Sequence, residues 1–225
     1  MERVRTLRER GNSPKEIARA LRLPPATVAP LIRAVAAERA PAAQAPVIAG
    51  CWVSSEWATG LSVHDHPEWP DVDAPGHLGR EGLVTVLVAA EGGSKVSVCG
   101  YLVDVYCLGV KNALGPHGLD RRKLPEFVHQ YFSAYDEPPL AAPVDLARHL
   151  VFGAVAYARD LGFEPHPDFA AAAGHLEPWA GPSAISFGRG GRPFFMQGPY
   201  DDAASVMKTL ERSVGKGNFD SVLVA

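Results

Sequence analysis

The chain has 225 residues, of which 47% are hydrophobic and 21% charged, the balance of an ordinary soluble domain with a small appended module. No apolar run reaches the roughly 20 residues that span a bilayer, and the charged start MERVRTLRERG lacks the apolar core of a signal peptide, so a cytoplasmic protein with no membrane partner is expected. Three cysteines, Cys51, Cys99 and Cys107, form no CxxC pair and no disulfide framework.

The net charge of −3 hides an asymmetry: residues 1–39 hold nine Lys or Arg against four acids, and the rest hold 13 against 21. A basic end on an acidic body points to an anionic partner. Within that end, Val4 and Leu7 mark a helix that stops at Gly11-Asn12. In SPKEIARAL, Ser13, Pro14 and Glu16 supply a cap, a first-turn proline and a capping box. A turn at Arg22-Leu23-Pro24 leads to another helix with Val28, Leu31, Ile32 and Val35 at helical spacing.

Three short helices with Ala18 before a tight turn resemble the helix-turn-helix domain of bacterial regulators over residues 3–39. The resemblance implies DNA or RNA as a partner and transcription regulation as a role. Two departures stand out. The usual turn glycine is Arg22, and the outward positions of the reading helix are Pro25, Ala26, Ala29 and Pro30, which offer no base-reading hydrogen bonds. Arg19, Arg22 and Arg33, with Thr27, are therefore expected to hold phosphates without choosing a sequence. The linker APAAQAP at 40–46 is short and semi-rigid by composition.

From Val47 the pattern becomes β. Strands are predicted at 47–53, 83–89 and 95–107, the last two joined by the turn EGGS. Helices are predicted at 120–134, 143–161 and 201–214, with a short one at 167–174, a hairpin in AISFGRGGRPFFMQG and a last strand in FDSVLV. The fold expected is α+β: a three-helix module, then an antiparallel or mixed sheet domain with packed helices over 47–225.

The stretch YLVDVYCLGVKN at 101–112 raises the catalytic question. Asp104 sits among apolar neighbours, Cys107 closes the strand and Lys111 follows, an acid, a thiol and a cation within eight residues. A hydrolase centre is one reading; a structural carboxylate with a packed thiol is the other. With GFEPHPDF and FGRGGRPFFMQGPYDD, this stretch resembles an uncharacterised bacterial domain, a resemblance that implies no activity.

The loop VHDHPEWPDVDAPGH gathers His64, Asp65, His66, Asp71, Asp73 and His77, but without the cysteines or helical spacing of a zinc site. GRGGR at 188–192 opens no helix, so a hairpin turn is preferred to a phosphate cradle. No metal and no cofactor is expected. A nucleic-acid-associated protein with a partner- or ligand-binding α+β domain stands first; a hydrolase centred on Asp104 and Cys107, or a protein-interaction adaptor, stands behind it.

Overall fold

The structure is a computed structural model that describes residues 46–66, 68–69 and 81–223, together with Ile17, Ala20, Leu21 and Leu23. The chain separates into two compact units, Met1–Ala45 and Pro46–Ala225, and every strand and helix with described bounds belongs to the second. The three-helix module expected at 3–39 lies outside the described residues except at those four positions. Among the described residues no such module is seen, and that part of the expected fold is withdrawn.

The second unit is built on a five-stranded sheet. Its strands are β1 (Ile48–Val53), β3 (Leu83–Gly92), β4 (Lys95–Asp104), β5 (Gly109–Asp120) and β6 (Leu140–Ala141), in the spatial order β5-β4-β3-β1-β6. All its ladders are antiparallel, which corrects the expectation of a possible mixed sheet. The connections explain this. A tight turn at Gly93-Ser94 and another at Val105–Leu108 join β3 to β4 and β4 to β5, and short turns permit only antiparallel neighbours.

Alternation along the central strands gives the sheet two buried faces. Cys51, Val53, Val84, Val86, Val88, Cys99, Tyr101 and Val103 face one side, and Leu87, Ala89, Val96 and Val98 the other. The first face packs on α2 (Val144–Asp160) through Leu146, Leu150, Val151 and Ala154. The second packs on α1 (Leu124–Tyr131) through Val128, with Phe132 just beyond it. The result is three layers, helix on sheet on helix.

The remaining elements are β2 (Ser62–Val63), α3 (Phe169–Ala172), β7 (Ile185–Ser186), β8 (Phe194–Met196), α4 (Ala203–Ser213) and β9 (Asp220–Val222). The hairpin predicted in AISFGRGGRPFFMQG does not form as a strand pair. β7 pairs with β2, β8 pairs in parallel with β9, and only a bridge between Arg189 and Arg192 marks the expected turn. A parallel pair needs a crossover, and α4 supplies it. None of the described helices is long and apolar enough to cross a membrane.

The strand predicted to run to Cys107 stops at Asp104. Its carboxylate Oδ1 accepts the backbone N–H groups of Tyr106 and Cys107, both at 2.9 Å, which curls the chain into a turn. Gly109 completes it at φ 68°, and a Cβ there would lie 2.8 Å from the Ala158 methyl, so glycine is needed on both counts. The sheet register then shifts: Leu102 faces Asn112 while Val103 faces Val110, leaving Lys111 as the extra residue of a β-bulge.

Candidate functional site

Asp104 is 6% exposed, and burial pushes its carboxyl from the ordinary 3.8 up to about 6 against the opposing pull of the Tyr106 N–H and the Lys111 charge. Cys107 is wholly buried in a cluster with Leu161, Phe195 and Leu210. Burial, then the Asp104 charge, drives its thiol far above the ordinary range, so no thiolate is available at neutral pH. Lys111, aimed by the bulge, donates to Asp201 Oδ2 at 2.6 Å; the same oxygen accepts the Gly198 N–H at 2.8 Å.

A cavity of about 150 Å³ touches Asp104, Glu81, Tyr106, Lys111 and Phe194. A wider groove of about 470 Å³ shares Lys111 and reaches Asp201, Asp202, Glu164 and His166. The charged groups around both already have partners within the chain. Glu81 pairs with Arg189 at 3.2 Å and Glu164 with Arg159 at 3.0 Å. Asp202 caps α4 through the Ser205 N–H, and His166 Nδ1 accepts the Asp168 N–H. The Asp104–Cys107–Lys111 trio is thus accounted for by a turn cap, a packed thiol and a strut from β5 to the start of α4.

A different convergence lies over α2. Its first turn carries Asp145, and His149 follows at i+4 on the same face. From the loop after β2 comes His66, and one ligand-type atom from each of His66, Asp145 and His149 lies within 4.8 Å of the other two. Rings hold the group in place. His66 stacks on Trp69 with centroids 3.9 Å apart, and His149 meets Trp69 edge-on at 5.0 Å and Trp179 at 4.9 Å. Trp179 in turn stacks on Phe152, one further turn along α2.

The hydrogen bonds fix what each imidazole offers. Glu68 Oε1 lies 2.7 Å from His66 Nδ1, so that nitrogen carries a proton, and in the neutral ring Nε2 is the acceptor. For His149 the reverse holds: the Ala184 N–H donates to Nδ1 at 2.8 Å, so Nε2 carries the proton. Burial holds His149 below its ordinary pKa, against the pull of Asp145, which keeps it neutral. Asp145 is half-exposed and its carboxylate approaches Arg148 and His149 only to 3.9 Å, beyond hydrogen-bond distance.

The three groups have a spacing that a divalent cation would accept, and Glu68 behind His66 is the usual supporting carboxylate of a metal-bound histidine. His149 does not fit: its Nδ1 receives a hydrogen bond, so its Nε2 has no lone pair for a metal.

Of the residues singled out from sequence, His66 belongs to this site. His64 instead bonds Ser186 Oγ at 2.9 Å, beside the β2–β7 pair. Asp71, Asp73, His77, Arg19, Arg22, Thr27 and Arg33 lie outside the described residues. Asp145, His149 and Trp179 were missed. The acid-x-x-x-His spacing in PVDLARH was the available signal, but it has meaning only once His66 is brought over it.

No family model, curated protein or solved structure matches the chain. The resemblances to a helix-turn-helix domain and to an uncharacterised bacterial domain around YLVDVYCLGVKN therefore have no matching family behind them. Both are withdrawn.

Proposed function

We propose that the unit 46–225 is a small-molecule-binding domain whose site is the face of α2 under His66, Asp145, His149 and Trp179. One observation carries the reading. Ligand-type atoms of His66, Asp145 and His149, brought from two separate segments, converge within 4.8 Å, and Asp145 meets Arg148 and His149 only at 3.9 Å, beyond hydrogen-bond distance. Convergent polar groups beside aromatic rings are how small-ligand sites are built. The cavities near Asp104 and Lys111 lack this property, because the charges there are spent on turns and struts.

The test is amide and indole mapping by NMR on the labelled full chain while a set of small polar compounds is titrated in. Shifts should cluster at Asp145, His149, Ala184 and the Trp179 indole. Shifts confined to the Asp104–Lys111 region, or none at all, would sink the assignment.

The charge of residues 1–39 favours a second reading for that segment alone, contact with a polyanion such as DNA or RNA through phosphates. Binding to unrelated duplexes should fall steeply with salt and vary little with sequence. Absence of binding at low salt would remove it.

A further inference from the structure

Resting on that site, we infer that it takes a hydroxyl group of a neutral, polyhydroxylated ligand of the sugar type, and takes neither a divalent metal nor an amine. The two histidines are held in opposite tautomers by neighbours outside the site, Glu68 for His66 and the Ala184 amide for His149. The site therefore presents one donor, His149 Nε2–H, and one acceptor, the Asp145 carboxylate 3.9 Å away, with the His66 ring beside them.

A hydroxyl carries one donor and two acceptor lone pairs, so it answers this set: it accepts from His149 and donates to Asp145. The competing ligands each meet an obstacle. A metal ion finds a proton on His149 Nε2, and freeing that lone pair means giving up the Ala184 bond. An ammonium has only donors and meets the His149 N–H head-on. An anion faces the Asp145 carboxylate. Among these four chemistries, only the hydroxyl leaves no group in conflict.

The aromatic neighbour extends the class from one hydroxyl to a ring that bears several. Trp179 is partly buried beside His149, and Phe152, stacked on one face at 5.7 Å and 17°, fixes its orientation. A flat apolar surface next to a donor–acceptor cluster suits a ligand with a C–H face and a rim of hydroxyls. Because Phe152 already orders the tryptophan, little side-chain freedom is lost on binding.

The experiment uses the ¹⁵N-labelled full chain and reads histidine ring nitrogens by long-range ¹H–¹⁵N correlation, with indole shifts in parallel. In the free protein, His66 should show the Nδ1–H tautomer and His149 the Nε2–H tautomer. The titrants are glucose, inositol, zinc chloride and methylammonium. Glucose or inositol should shift both histidines and the Trp179 indole saturably, and Asp145→Asn should weaken that binding about tenfold or more. Asp145 is half-exposed, so this variant is expected to fold; Trp179→Ala provides a second test with the same direction. Saturating zinc or methylammonium binding at both histidines would overturn the hydroxyl assignment while leaving a ligand site in place. If no titrant moves either ring, the site itself is wrong.

Discussion

Asp104 shows how one residue can look catalytic in sequence and serve the backbone in the fold. Its Oδ1 takes two amides that the turn after β4 would otherwise leave unpaired. Asp104→Asn keeps an oxygen acceptor there, whereas Asp104→Leu strands both amides and should cost several kcal/mol, at roughly 1–3 kcal/mol for each lost partner. The pH dependence has a definite sign. With the folded pKa raised from 3.8 to about 6, the unfolded chain loses this proton first as pH rises. Stability therefore falls between about pH 4 and 6 and is flat above that window, by roughly 3 kcal/mol from this group at about 1.4 kcal/mol per pH unit. Urea unfolding at pH 4, 5, 6 and 7 should show the wild type losing stability relative to Asp104→Asn across the window. Parallel curves would mean that the carboxyl titrates normally.

At the scale of elements, the bulge in β5 matters more than its single extra residue suggests. Without the register shift, Lys111 would follow the alternation of the strand; with it, the side chain reaches Asp201 ahead of α4. Both partners are largely buried, at 18% and 12% side-chain exposure. Breaking a fully buried pair costs roughly 3–5 kcal/mol, and partial exposure lowers the expectation to about 2 kcal/mol for Lys111→Met. Combined with Asp201→Asn in a double-mutant cycle, the pair should show a coupling above about 1 kcal/mol. Additive effects would show that α4 is held by the apolar cluster around Leu210 and Phe195 alone. The same logic of elements governs the ligand site, where α2 provides Asp145 and His149, and the strap at Ala184 decides which nitrogen of His149 is protonated.

For the whole molecule, the three hydrophobic clusters described draw on no residue before Ile48. Residues 46–225 expressed alone should therefore unfold cooperatively with the same urea midpoint as the full chain. An insoluble or molten product would show that the first unit contributes to the core. Charge belongs to this scale too: a body with 21 acids against 13 basic residues from residue 40 onward repels polyanions, which leaves any such contact to the basic end.

The sequence by itself determined whatever depends on neighbours along the chain. Period-two apolar runs placed β1, β3 and β4, the glycines of EGGS placed the turn between the last two, and the 3.6-residue pattern closed by Gly162 placed α2 over Val144–Asp160. It did not find β5, because the run GVKNALGPHGLD is broken by glycine and proline and is a strand only because β4 pairs with it. Nor could it choose the parallel partner of β8, which lies beyond a helix. The site was legible only in fragments: His66 stood in a loop without the spacing of a metal site, and Asp145 and His149 read as ordinary helix residues. Only the tertiary structure brought them within reach of one another, and only the Ala184 amide and the Glu68 carboxylate set their tautomers. A hydrogen bond between residues 35 positions apart in the chain leaves no local trace in either segment.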